Sequence, residues 1–131
     1  MSQQIHTSDA PEFPLPFSQA LRAGDFVYVS GQVGVDPKTR QVVGHTIEEQ
    51  TEQCLRNIET ILKAANLTLD HVVKTNAIVS HLEDFPGYNQ TYEKIMNRPF
   101  PARTSVQSGI GNYLVEIDVI AYVRSIRGEA E

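Results

Sequence analysis

The chain has 131 residues and a net charge of −5, with 11 basic and 16 acidic side chains. One domain of this size, over residues 1–131, can bury a single core, and its acidic balance argues against binding to nucleic acid through phosphates. A lone cysteine, Cys54, excludes an internal disulfide, and no run reaches the roughly 18 apolar residues of a membrane span, so we expect a cytoplasmic protein without membrane or nucleic-acid partners.

The predicted elements of the first third of the chain are strands and turns. Three prolines between positions 11 and 16 exclude a helix and predict an extended loop that ends at Phe17. Residues 18–22 and 26–30 then form a predicted hairpin, whose second strand is rich in β-branched and aromatic residues. Gly31 follows, where the lack of a side chain permits a bulge or a close approach of the backbone.

A capping box indicates the first helix. Thr46 is followed three residues later by Glu49, and apolar residues then recur at helical spacing up to a stop near Asn66. Cys54 falls on the apolar face of this helix, which makes it a predicted core residue and not a nucleophile. After a short connection, residues 72–81 form a predicted strand.

The second predicted helix covers residues 85–96. Pro86 lies in its first turn, where the missing N–H costs little. A proline-rich segment, residues 98–101, ends the helix and leads into a strand that carries Arg103. The last predicted strand covers residues 114–123.

The predicted order of elements is therefore β-β-α-β-α-β-β. Because strands and helices are mixed without strict βαβ alternation, we expect an α+β sandwich in which a mixed sheet carries both helices on one face. The other face would be bare, and it is too apolar for water because of Val72, Ile78, Leu114, Ile120 and Tyr122. We expect a partner subunit to cover it.

Polar side chains cluster on the last two strands. By strand alternation, Arg103 and Ser105 share one face, and so do Glu116 and Asp118. If the two strands pair as a hairpin across residues 109–112, the guanidinium of Arg103 and the carboxylate of Glu116 line one pocket. A planar cationic donor beside a carboxylate can hold a small carboxylic acid and activate a water.

The sequence predicts neither a metal nor another cofactor. Its four histidines show no ligand spacing, and the glycines at positions 31 and 34 are too few for a phosphate-binding loop. The chemistry of the site would therefore rest on side chains and water.

Five short segments occur in a characteristic order. They are Val29-Ser30-Gly31-Gln32, Val72-Val73-Lys74-Thr75, Tyr88-Asn89-Gln90-Thr91-Tyr92, Phe100-Pro101-Ala102-Arg103 and Val115-Glu116-Ile117. Together they resemble the RidA family, also called YjgF/YER057c/UK114, with its RutC relatives. The resemblance implies a single RidA-like domain with a chorismate mutase-like fold and a homotrimer with clefts between subunits. It also implies the hydrolysis of reactive enamines and imines, such as 2-iminopropanoate, to keto acids and ammonia without a cofactor.

The resemblance assigns roles to single residues. It implies that Arg103 holds the substrate carboxylate and that Glu116 positions the water. Asn89 and the backbone at Gly31 are then expected to line the substrate.

Three departures from the family pattern leave the substrate open. Phe17 stands where the best-studied branch has tyrosine, and Ser105 stands where cysteine is common, although both are still expected at the substrate. The connection over residues 107–114 is shorter than usual and lacks a Leu-Pro pair. The resemblance therefore allows a RutC-type aminoacrylate or a larger substrate such as aminomuconate.

A second hypothesis belongs to another class of protein. A homotrimer could bind small carboxylic metabolites in the same clefts without turnover and act as a sensor or a regulatory partner. Phe17 and the short connection fit such a site. RNA cleavage, suggested for some relatives, finds no support in the acidic charge balance.

Overall fold

A mixed, six-stranded sheet with both helices on one face forms the fold of residues 2–124, which are the residues that this computed structural model describes. The strands are β1 (Ser2–Ile5), β2 (Ala20–Ala23), β3 (Phe26–Val33), β4 (Val72–Val79), β5 (Ala102–Gln107) and β6 (Val115–Tyr122), and the helices are α1 (Ile47–Lys63) and α2 (Phe85–Ile95). The predicted α+β architecture is confirmed, with β1 as one additional strand at the sheet edge. In the described range, neither helix has the length and apolar run that a bilayer crossing requires.

Helix α1 begins and packs as its sequence predicts. The Thr46 hydroxyl accepts the Glu49 N–H at 3.1 Å, and the Glu49 carboxylate accepts the Thr46 N–H at 3.3 Å, which together satisfy two backbone donors of the first turn. Cys54 is fully buried against the sheet, and this burial raises the pKa of its thiol, with the negative charge of Glu116 as a smaller cause. The thiol is therefore a protonated core group at neutral pH, as predicted.

The order of the strands differs from the predicted hairpin. β5 pairs in parallel with β4, with Arg103 beside Thr75, and β6 pairs antiparallel with the other side of β4, with Glu116 beside Ile78. The sheet order is β1-β2-β3-β6-β4-β5, so β4 separates the two strands that were expected to pair. The physical reason is burial: β4 and β6 carry the apolar residues that the helices cover, whereas the polar β5 suits an edge.

The face of the sheet away from the helices, called here the open face, also differs from its predicted composition. Val72 is 1% exposed and belongs to the core, because a register shift between Val72 and Lys74 reverses the strand alternation. Leu114 likewise packs against the core. Apolar side chains of the open face are Leu21, Phe26, Tyr28, Ile78, Val106, Ile120 and Tyr122.

Candidate functional site

Arg103 lies on the helix face of the sheet edge, packed against α2. Its Nη2 donates to the Asn89 side-chain oxygen at 2.8 Å. The guanidinium carbon lies 5.1 Å from the ring centroid of Tyr88 and 4.8 Å from that of Tyr92, so the cation rests on two aromatic faces. A guanidinium has five N–H donors in a planar fork, and Asn89 engages only part of it, which leaves donors for a bidentate carboxylate.

The two tyrosines that support Arg103 are themselves fixed by hydrogen bonds to the sheet. Tyr88 and Ser105 share a hydroxyl–hydroxyl bond of 2.7 Å, and the Tyr92 hydroxyl donates to Thr75 at 3.0 Å. Burial raises the pKa of both phenols, so they remain neutral hydrogen-bonding groups at pH 7. The Ser105 hydroxyl therefore supports the ring under Arg103, a contact that the sequence did not reveal.

Glu116 lies on the open face, in a cleft of about 330 Å³. The cleft also brings together Phe17, Ser30 and Gly31. Partial burial, and secondly the negative charge of Asp118, raise the pKa of the Glu116 carboxyl. A carboxyl group whose pKa moves toward neutrality can both accept and return a proton, which is what general acid–base chemistry requires.

A bulge in β3 sets the backbone of Gly31 directly against Glu116. The register of β3 with β6 shifts between Val29 and Gln32, and a Cβ placed on Gly31 would overlap the Glu116 carboxylate, with its Cδ only 2.9 Å away. Glycine is therefore required here by close approach, as the sequence predicted.

A buried glutamine, Gln19, holds the proline-rich loop that carries Phe17. Its amide oxygen accepts the Thr7 N–H at 2.8 Å, and its amide nitrogen donates to the carbonyls of Thr7 at 3.1 Å and Pro11 at 3.0 Å. At the C-terminal end of the loop, the Ser30 hydroxyl donates to the Ser18 carbonyl at 2.6 Å. A single glutamine after prolines forms no recognisable motif, so sequence reasoning missed this positioning residue.

Replacing Gln19 by leucine is expected to destabilise the protein by about 1–3 kcal/mol, because buried backbone groups of the loop lose their partners. Chemical denaturation measures this change, and limited proteolysis should find new cleavage within residues 7–17. Gln90→Leu, on the exposed side of α2, is the matched control and should change neither result. A Gln19→Leu protein as stable as the parent would contradict the assigned role.

The six predicted site residues fall into two groups on opposite faces of the sheet. Phe17, Gly31 and Glu116 meet in the open-face cleft, whereas Arg103, Asn89 and Ser105 surround α2 on the helix face. The expectation that Arg103 and Glu116 share a pocket within one chain is therefore wrong. Strand alternation predicts which residues of one strand share a face, but it does not predict the order of the strands in the sheet.

Comparison with known proteins places the chain in a family. A family model described as Endoribonuclease L-PSP matches residues 7–123. The chain belongs to this family. It is also similar to RidA from the Antarctic bacterium Psychrobacter sp. PAMC 21119, with a TM-score of 0.85 and 38% identity over 92% of this chain and 98% of that one. The predicted membership of the RidA group is thus confirmed.

Two relatives from this family carry functional names. The 2-iminobutanoate/2-iminopropanoate deaminase of Homo sapiens is 38% identical over 79% of this chain and 75% of that protein. A protein of Lactococcus lactis named as a candidate regulator is 42% identical over 92% of this chain and 98% of that protein. Within residues 2–124, no cluster of three or more histidine, cysteine, aspartate or glutamate side chains could hold a metal ion.

Proposed function

We propose that this protein is a cytoplasmic, cofactor-independent hydrolase that converts small reactive 2-imino and enamine acids, of the 2-iminopropanoate type, into 2-keto acids and ammonia. The observation that carries the proposal is Glu116, a half-buried carboxyl with a raised pKa in a cleft beside the Gly31 backbone. The name of the human relative, a 2-iminobutanoate/2-iminopropanoate deaminase, supports the same chemistry.

The reaction requires binding of the substrate carboxylate, removal of a proton from water and return of that proton to nitrogen. We assign the first step to Arg103 and the other two to Glu116. Arg103 binds the substrate carboxylate with its planar donors. Glu116 accepts a proton from a water as that water adds to the carbon of the protonated imine, which gives a neutral carbinolamine. Glu116 then returns this proton to nitrogen, and the carbinolamine collapses: the C–N bond breaks to release ammonia, while the carbinol hydroxyl gives its proton to Glu116 and becomes the ketone oxygen. An enamine needs one earlier step, protonation at carbon, which produces the iminium that water attacks.

A homotrimer with shared sites would unite the two groups of residues. In one chain the sheet separates Arg103 from Glu116, but the edge strand β5 of one copy can approach the open face of the next. Such a contact between two different patches closes into a ring under threefold symmetry. It would also cover apolar side chains that the single chain exposes, among them Tyr28 at 46% and Phe26 at 39%.

Ammonia release from 2-iminopropanoate generated in situ tests the proposal. The protein should accelerate release above the uncatalysed rate, and 2-aminoacrylate and aminomuconate should be assayed in parallel as alternative substrates. If no small imino or enamino acid reacts faster with the protein present, the enzyme proposal is wrong.

Replacing Gly31 by alanine is expected to displace the Glu116 carboxylate, because the new methyl group would occupy its position. Deaminase kcat/KM should fall by about 10²-fold or more, as expected for a misplaced acid–base group. The carboxylate is the mobile end of its side chain, so the melting temperature should change little. Gly109→Ala, at a position where an added Cβ meets no atom within 4 Å, is the control. Full activity of Gly31→Ala would contradict the role of this contact.

A second candidate function is a sensor that binds small carboxylic metabolites without turning them over. The name of the Lactococcus relative, a candidate regulator, favours it. Calorimetry with pyruvate would then detect binding that Arg103→Ala abolishes, while imine hydrolysis would stay at the uncatalysed rate.

A further inference from the structure

The walls of the Glu116 cleft are more apolar than a substrate with a single methyl group requires. Phe13, Leu15, Phe17, Val33 and Tyr113 line it, together with the Ser30–Gly31 backbone region and Glu116. Leu15 is 60% exposed and Phe17 is 47% exposed, so these walls present apolar surface to whatever enters the cleft. Apolar walls around a few polar groups are typical of a site for an organic ligand with an apolar part.

The apolar walls are held in place before any ligand binds. Within the proline-rich loop, the Leu15 N–H donates to the Phe13 carbonyl and the Phe17 N–H donates to the Leu15 carbonyl, each at 2.8 Å, which forms two successive three-residue turns. The rings of Phe13 and Phe17 lie with their centroids 6.5 Å apart. Pro14 and Pro16 restrict the backbone between these residues. A preorganised wall loses little entropy when it binds a ligand.

We propose that this cleft is a side-chain subsite for 2-imino acids with branched aliphatic or aromatic substituents. The inference rests on the proposed function and names its substrate class. Because Glu116 lies in the same cleft, the reacting carbon must come close to it, and the substituent on that carbon then lies against Phe13, Leu15 and Phe17. Tyr113 belongs to the connection that departs from the family pattern, so that departure supplies part of the wall.

Binding of two stable 2-oxo acids, the hydrolysis products, tests the subsite separately from catalysis. By calorimetry, 4-methyl-2-oxopentanoate should bind at least about tenfold more tightly than pyruvate, since each additional buried methylene favours binding. Leu15→Ser should reduce this ratio to about threefold or less. Leu82→Ser is the matched control, because Leu82 is 68% exposed and does not line the cleft; the ratio should stay as in the parent.

The other outcomes distinguish failure of the subsite from failure of the deaminase proposal. Equal affinity for the two oxo acids, or an equal effect of Leu15→Ser and Leu82→Ser, would contradict it while leaving the deaminase proposal intact. Dissociation of the oligomer in Leu15→Ser would mean that this wall contacts a neighbouring subunit and not the substrate. Preferential binding of the larger acid without any imine hydrolysis would support the subsite and refute the deaminase proposal. Absence of binding by both acids at millimolar concentration would refute the subsite, and ammonia release would then test the deaminase proposal on its own.

Discussion

Replacing Arg103 by alanine should lower the kcat/KM for imine hydrolysis by about 10²–10⁴-fold, because hydrogen bonds to a charged group contribute about 1.5–3 kcal/mol each and a bidentate carboxylate forms two of them. Steady-state ammonia release over a range of imine concentrations measures the loss. Arg103→Lys should recover only part of it, since an ammonium keeps the charge but not the planar fork.

Arg56→Ala is the control for the general effect of removing an arginine side chain. Arg56 lies on α1, where it forms ion pairs with Glu52 at 3.7 Å and Glu59 at 3.2 Å on the surface. Arg56→Ala should therefore keep full activity, because such exposed pairs contribute little. If Arg103→Ala remained as active as Arg56→Ala, the carboxylate would bind elsewhere.

Replacing Glu116 by glutamine should lower kcat by about 10²–10⁴-fold, the range typical of a lost general acid–base group. Glutamine keeps the shape of the side chain but cannot accept the proton of the attacking water. The affinity for pyruvate should change little, because the proposed contact with its carboxylate comes from Arg103. A Glu116→Gln protein with ordinary kcat would assign the proton transfer to another group.

Because the pKa of Glu116 is raised, we expect both the deaminase activity and the stability of the protein to depend on pH. Activity should decline as the pH falls through that pKa, because the protonated carboxyl cannot act as a base. Asp118→Asn removes one cause of the raised pKa and should move the decline in activity to lower pH.

The contribution of Glu116 to the free energy of unfolding changes with pH in the opposite direction. A carboxyl whose pKa is raised by folding stabilises the fold at low pH and loses that contribution as the pH rises. Glu116→Gln should therefore melt at the same or a higher temperature than the parent at pH 7.

Local patterns in the sequence predicted most elements of the fold. The Thr46–Glu49 capping box predicted where α1 begins, and the spacing of apolar residues around Cys54 predicted which face of α1 is buried. Gly31 was expected to permit a close backbone approach, and the Glu116 carboxylate lies against it. These predictions hold because they depend on contacts within one element or between neighbouring strands.

The arrangement of the strands could not be predicted in the same way. The position of β4 between β5 and β6 is decided by which strands the helices bury, and a bulge near Val72 reverses the alternation on which the composition of the open face was based. The position of β4 separates Arg103, which pairs with Thr75, from Glu116, which pairs with Ile78. The support of Arg103 by Tyr88, and of the N-terminal loop by Gln19, joins residues that are distant in sequence or lack any motif.

Mixing two inactive variants tests most directly whether the site is shared between subunits. Each Glu116→Gln subunit retains Arg103, and each Arg103→Ala subunit retains Glu116. If the protein forms the proposed trimer, which native mass spectrometry verifies, coexpression of the two variants at equal amounts gives about one site in four that combines an intact Arg103 with an intact Glu116 from its neighbour. A shared site therefore predicts recovery of about one quarter of the parent activity. Mixed trimers that remain as inactive as the separate variants would contradict it.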